Sequence, residues 1–415
     1  MWIIRAWLAI VLCSGFITIS RAVAAEPALQ SAARSIVGAD QGVFAQAADG
    51  SVLAMQQADR PVHPASVMKI ATTLALFQKL GPGHRFETRL AAAGPVSEGR
   101  VHGDLIIEAG GDPVLVDENA FLMLLELHAR GIRGVDGALQ VQGSLFFNWE
   151  PDPKGVRLRR ALTGQGAASA WSAVRDRRSD APAALAARGL AFGGGAVQAD
   201  GQDPRVLLTH GSPPLTRVTK ELNCYSNNIF HTLSDRIGGP AAVQRIVEQS
   251  LPPHMRKELL VDNAAGAGTR NRLSPRAAVT IIQALSAELA THGLSLVDVL
   301  PVAGVDQGTL HTRLREDGLR GAVVGKTGTY GSLGASALAG VVRTRTYGDV
   351  TFAVLNRGVA VPEARRRQDA FVRALVKNAG AEPLPYRPAV EPAFGEARVE
   401  RYVARPTRPE ERQGP

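Results

Sequence analysis

The strand-forming sequence of this 415-residue chain is concentrated near its two ends, and that split constrains the fold more than any other feature. Near the start, GVFAQAADGSVLAM (42–55) reads as two β-type runs around Asp49-Gly50, a hairpin signal because both residues tolerate the positive φ of a tight turn. Near the end, RGAVVGKTGTY (320–330), GASALAGVVRT (334–344) and GDVTFAVLNRG (348–358) read as strands, followed by a helical stretch from Glu363 to Gly380. Segments so distant share one core if they join a single antiparallel sheet with helices on its faces. The expected fold class is therefore α/β in the α+β sense.

The intervening chain divides by character. SVMKIATTLALFQKLG (66–81) has helical composition and stops at Gly81-Pro82, which sets Ser66 at a helix N-terminus. Residues 89–205 carry short apolar runs (DLIIEAGG, GALQVQGSLFF), one helix (AFLMLLELHARG) and an Ala/Arg/Gly-rich stretch, the pattern of a smaller β-rich domain inserted after that first helix. Helical segments dominate 214–300. The expected organisation is a leader at 1–25, a main domain from 26–88 and 206–380, an inserted domain at 89–205 and a flexible, Pro-rich tail at 381–415.

The leader expectation rests on Arg5, an apolar run too short to span a bilayer, and Ala22-Val23-Ala24 as a small-x-small cleavage pattern. It implies an exported, periplasmic protein with no stable transmembrane segment. Cys13 would leave with the leader, so the mature chain keeps only Cys224, read as a buried structural thiol. The formal charge is +9 and the pI near 10.0, but aromatics are 5% and no nucleic-acid reader motif is present. The Arg clusters at 157–160, 175–178 and 365–367 are read as solvated faces, and no nucleic-acid partner is expected. The 9 histidines show no ligand spacing, so neither metal nor cofactor is expected. Asp104, Asp112 and Asp306 sit beside glycines and read as turn residues, and His63 as a loop residue.

Lysine is scarce, with 7 against 40 arginines, so a lysine in an apolar run asks for a reason. In PASVMKIATT (64–73), Ser66 and Lys69 lie three apart on one helical face. A serine hydroxyl is a weak nucleophile until a base takes its proton, and a lysine in an apolar pocket or beside another cation can serve, whereas arginine cannot be deprotonated. In NCYSNNIF (223–230), Ser226 and Asn228 offer a proton-relaying hydroxyl and an amide for a substrate carbonyl. In VVGKTGTY, Lys326 and Thr327 offer a cation and a hydroxyl to a carboxylate, and Gly328 lets an extended substrate lie beside the strand. Each motif alone is weak; all three in this order arise by chance about once in a couple of hundred such chains.

S-x-x-K, S-x-N and K-T-G in this order resemble the penicillin-recognising serine enzymes. With PASVMKIATT, GDLIIEAGGDPVL (103–115), NRLSP (271–275), LPVAGVDQGTL (300–310) and GKTGTYGSLGASALAG (325–340), the chain resembles the class C low-molecular-mass penicillin-binding proteins. That is the D-alanyl-D-alanine carboxypeptidase and endopeptidase family, peptidase family S13. The resemblance implies a β-lactamase/transpeptidase-like fold and serine-type hydrolysis of peptidoglycan stem peptides. It makes Ser66 the acylated nucleophile, Lys69 its base, Ser226 and Asn228 the proton relay and amide contact, and Lys326 and Thr327 the carboxylate site. Gly328 and Thr329 line the substrate, with the Ser66 and Thr329 N–H groups as oxyanion hole, and β-lactams become acylating inhibitors.

Three departures accompany the resemblance. The insert is short, Gln142 stands where an acidic residue is common, and NAAG (263–266) replaces DGSG. These touch recognition of the stem peptide rather than the chemistry. A second register also exists, because Tyr225-Ser226-Asn227 reads as the Y-x-N of class C β-lactamases and related esterases. A β-lactamase or esterase on the same fold, and a wall-binding protein without turnover, are the alternative readings.

Overall fold

The computed structural model describes residues 26–178, 189–194, 204–389 and 398–401. The expected leader at 1–25 lies outside the described residues.

The two distant β-rich segments do form one antiparallel sheet. Its order is Val323–Tyr330, Ala335–Thr344, Gly348–Asn356, Gly42–Gln46, Val52–Gln56, so the N-terminal hairpin docks on the last strand, with Phe44 opposite Ala353. Successive side chains point to opposite faces. Phe44, Ala353 and Leu355 face a core shared with the helices Met68–Leu80 and Pro275–Ala290. Their neighbours Val43, Phe352 and Val354 face a second core with Phe371 and Leu375 of the helix Val361–Ala379. Burial on both faces explains why these strands read as almost continuous apolar runs. The Pro275–Ala290 helix starts where NRLSP puts it: Pro275 needs no N–H partner and the Ser274 hydroxyl accepts from Ala277 N at 3.0 Å.

After Phe86 the chain builds another sheet, ordered Arg398–Arg401, Arg205–Gly211, Glu87–Ala92, Leu105–Gly110, Leu139–Ser144. The last two strands run parallel, joined through the helix Asp117–Ala129. Leu90, Ile107, Phe121, Leu124, Trp171 and Leu208 fill its core. Phe146 and Phe147, pointing opposite ways, enter different cores, Phe146 that of the Met68–Leu80 and Pro275–Ala290 helices and Phe147 that of the 87–211 sheet, which ties the two together.

Two expectations are corrected. Residues 381–389, expected within a flexible tail, pack on the main unit: Ala381 bridges to Thr344, Leu384 N donates to Gly321 O, and the Tyr386 hydroxyl donates to Asp306 Oδ1 at 2.7 Å. Further on, Arg398–Arg401 pairs with residues 208–211 of the second sheet. Leu384 and Tyr386 pack against the core, so residues 381–389 are irregular but anchored; 390–397 and 402–415 of the expected tail lie outside the described residues. Asp104 and Asp112 do accept backbone N–H groups, from Ala138 and Val114. Asp306 is more than a turn residue. It is buried, takes the Lys220 ammonium at 2.6 Å and Val302 N at 2.7 Å, and fixes the 301–310 loop.

Breaking that pair strands the Lys220 ammonium in the interior. Asp306→Ala is expected to cost about 3–5 kcal/mol, and Tyr386→Phe, which removes one hydrogen bond, about 1–2 kcal/mol. Urea unfolding of both variants checks the order.

Candidate active site

The PASVMK segment is built under strain. Ser66 lies in a 3-10 turn, Ala65–Val67, directly ahead of the Met68–Leu80 helix, and Ala65 has φ +48°. A left-handed backbone costs an alanine on the order of 1–3 kcal/mol and persists only when neighbours enforce it. His63 is one enforcer: its Nδ1 accepts from Ala65 N at 3.2 Å, which leaves Nε2 as the protonated nitrogen donating to Gly268 O at 2.8 Å. Gly266 is another. A Cβ there would lie 2.0 Å from the Ala65 carbonyl oxygen, and its φ of +79° already requires glycine.

Lys69 is fully buried. Its Nζ stands 2.7 Å from Ser66 Oγ, 3.1 Å from Asn228 Oδ1 and 2.7 Å from Ala265 O. Burial, and then the positive charge of Lys326, hold its pKa well below the ordinary lysine value. Two of the three partners, a carbonyl and an amide oxygen, only accept. In its neutral form the amine has two N–H bonds and one lone pair, and with both N–H groups directed to these oxygens the lone pair would face the Ser66 hydroxyl.

Lys326 repeats the arrangement on the strand Val323–Tyr330. It is fully buried, donates to Ser226 Oγ at 2.8 Å and Thr327 O at 2.9 Å, and burial lowers its pKa to about 7. Ser226 has φ +56°, so both serine-bearing turns contain a strained non-glycine residue. The strand is at the sheet edge. Its first half is covered by 301–303, through Ala303 N to Val323 O and Gly325 N to Pro301 O. The second half runs against the Ser66 turn: a Cβ on Gly328 would lie 2.6 Å from Pro64 O and 3.1 Å from Ser66 N.

The structure places Ser66, Lys69 and Asn228 in one hydrogen-bonded group and Ser226 and Lys326 in a second, close enough that the Lys326 charge acts on Lys69, with Thr327, Gly328 and Thr329 along the same strand. Tyr225, the centre of the alternative register, is 56% exposed and is not among the hydrogen-bond partners of either lysine. It lines, with Trp149, Glu221 and Asn227, a cleft of about 490 Å³ on the outer side of that turn. Cys224 is buried, and burial pushes its thiol up to about 12, so it is no nucleophile.

Some contributors carry no sequence signal. The NAAG loop acts through its backbone: Ala265 O takes Lys69, and Ala264 O takes the Thr72 hydroxyl at 2.6 Å. Asn263 Oδ1 holds the loop by accepting from Ala265 N and Ala267 N. The departure from DGSG leaves these contacts in place. Thr309, exposed on the loop that Asp306 fixes, shares a hydrogen bond of 2.9 Å with the Thr327 hydroxyl.

A nucleophile-bearing turn with a buried lysine, set at the open end of an edge strand, is the layout of a serine-type hydrolase. The family model described as "D-Ala-D-Ala carboxypeptidase 3 (S13)" matches residues 23–154 and 161–378, and the chain belongs to this peptidase S13 family. It is a serine-type D-Ala-D-Ala carboxypeptidase by class. A D-alanyl-D-alanine carboxypeptidase of Actinomadura sp. (strain R39) is 28% identical, covering 86% of this chain and 84% of that protein. A penicillin G-acylated predatory endopeptidase from Bdellovibrio bacteriovorus matches with a TM-score of 0.68 at 19% identity, over 87% of this chain and 99% of that one. Penicillin binding protein 4 from Haemophilus influenzae matches with a TM-score of 0.61 at 18% identity, over 83% and 98%. Among the described residues no helix is long and apolar enough to cross a membrane, and no His/Cys/Asp/Glu group could hold a metal ion.

Lys326 also predicts a pH signature. Its pKa is about 7 when folded and ordinary (10.5) when unfolded, so the native state binds fewer protons between those values. Its contribution therefore favours folding increasingly as pH rises from about 7, and is lost as pH falls through about 7. Lys326→Met is expected to flatten the unfolding free energy over this window, by up to about 1.4 kcal/mol per pH unit. Denaturant titrations of both proteins at several pH values measure the difference.

Proposed function

We propose that this enzyme cleaves the D-Ala-D-Ala bond of peptidoglycan stem peptides, or the cross-link bond that follows D-Ala, through an acyl-enzyme on Ser66. The observation that carries the reading is Lys69 Nζ standing 2.7 Å from Ser66 Oγ while two oxygens that only accept, Asn228 Oδ1 and Ala265 O, hold it on its other sides. The peptide lies along the open half of the Val323–Tyr330 edge, main chain to main chain. Ser66 Oγ attacks the D-Ala carbonyl carbon as its proton passes to Lys69 Nζ. The oxyanion is received by the N–H groups of Ser66 and Thr329. Collapse breaks the C–N bond, and the proton taken up by Lys69 passes through the Ser226 hydroxyl, which Lys326 holds in line, to the departing amine, leaving Lys69 neutral again. Water, activated by Lys69, then releases the acid.

Asn228 orients both Lys69 and the substrate amide, and Thr327 meets the terminal carboxylate. The cleft at Trp149 receives the stem peptide beyond the scissile bond. β-Lactams mimic the dipeptide and acylate Ser66, a reading supported by the penicillin-acylated structural relative. We also read the leader as an export signal to the periplasm. Residues 89–205 are read as a domain inserted into a catalytic unit made of 26–88 and 206–380, which the separate second core supports.

Fluorescent penicillin should label the wild type and not Ser66→Ala. Lys69→Met should slow labelling by at least about 1,000-fold, the upper part of the range for general-base catalysis, while keeping or raising stability because a buried amine is removed. A wild type without label, or a labelled Ser66→Ala, would refute the mechanism. Acylation should fall as pH drops, because protonation of Lys69 removes the base. Ser226→Ala should lose turnover of a D-Ala-D-Ala peptide while Tyr225→Phe keeps it, measured as released D-Ala.

A further inference from the structure

The two lysines of the site leave a deficit. In a peptide ending in D-Ala-D-Ala, the residue that follows the scissile bond carries a carboxylate. Lys69 faces the serine, and Lys326 is sealed from solvent and engaged with Ser226 and Thr327 O. Both are driven toward the neutral form by burial. A fixed positive charge at the carboxylate end must come from elsewhere.

Arg365 is placed to provide it. It belongs to the Arg365-Arg366-Arg367 triplet, which lies on a solvated face of the Val361–Ala379 helix as expected. Arg366 and Arg367 both pair with Glu363. Among the described residues Arg365 pairs with no carboxylate; its exposed guanidinium donates to Thr329 Oγ1 at 3.1 Å. Its position is rigid. Gln368, one helical turn on and fully buried, donates to Ser336 Oγ at 3.0 Å and Asn356 Oδ1 at 2.9 Å, and Ser336 is the register partner of Thr329. Arg313 locks the same helix by pairing with Asp369 at 2.6 Å. On the other side of the strand end, the Thr309 hydroxyl stands 2.9 Å from that of Thr327. Thr327 and Thr329 share one face of the strand, about 6.6–6.8 Å apart. Thr309, Thr327, Thr329 and Arg365 therefore form a row of three hydroxyls ending in a guanidinium.

We propose that Arg365 and Thr309 complete the carboxylate site, Arg365 as its permanent cation and Thr309 as an added hydroxyl. The inference deepens the proposed function and rests on it. Arginine suits the task because it stays charged at any pH the enzyme meets and offers paired N–H donors to a carboxylate.

The test compares a peptide ending in D-Ala-D-Ala with its C-terminal amide, and benzylpenicillin with its methyl ester, in wild type, Arg365→Gln, Arg365→Lys and Thr309→Val. Arg365→Gln should lower kcat/KM for the acid, and the acylation rate with benzylpenicillin, by about 10- to 100-fold, the range of a charge-assisted hydrogen bond. The amide and the ester should change by less than about 2-fold. Arg365→Lys should restore part of the loss, and Thr309→Val should show a smaller loss confined to the acids. Equal losses on acid and amide, or none on either, would overturn the inference while leaving the acyl-enzyme intact. A wild type that takes no penicillin label would instead sink the underlying mechanism.

Discussion

The structure depends on a buried amine set against the nucleophile, where burial and the nearby Lys326 both favour its uncharged form. Lys69 has no contact with bulk water, and its nitrogen is surrounded by Ser66 Oγ, Asn228 Oδ1 and Ala265 O. An ammonium in that place would confront the Lys326 charge as well as the loss of hydration. Each partner comes from a different part of the chain: the strained turn, the second motif's loop and the NAAG backbone. Moving any one would let the amine rotate away from the hydroxyl.

The fold meets this demand by close approach of backbone to backbone. Gly266 lets one loop reach the Ala65 carbonyl, and Gly328 lets the edge strand reach Pro64 and Ser66. Between them the Ser66 turn is held in its left-handed kink. The buried Lys220–Asp306 pair, with Tyr386 behind it, performs the same service for the loop carrying Thr309. Stability is thus spent on polar groups that a simpler core would omit, and they converge on the open end of one strand.

Much of this was legible in the sequence, for physical reasons. The two distant β-rich segments declared their shared sheet because strands buried on both faces must be apolar at nearly every position. Lys69 and Lys326 stood out because the chain otherwise uses arginine for charge, and Ser66 followed from the chemistry a neutral lysine allows, whereas Lys326 read as a cation for a carboxylate and its hydrogen bond to Ser226 had no signal. Three things were not legible. Ala264 and Ala265 contribute carbonyl oxygens, which every residue has. Arg365 looked like its two neighbours until the structure showed that Glu363 is occupied by them. The chain after residue 380 looked loose because prolines break periodicity, although Leu384 and Tyr386 are anchored.

With 7 lysines in the chain, the protonation of Lys69 is open to direct measurement. Protein carrying ¹³C at each lysine Cε would be titrated by NMR, with Lys69→Met identifying the signal. The account predicts that the Lys69 resonance keeps the free-amine shift at neutral pH and titrates well below the exposed lysines. A Lys69 signal that titrates with them, near the ordinary value of about 10.4, would contradict it.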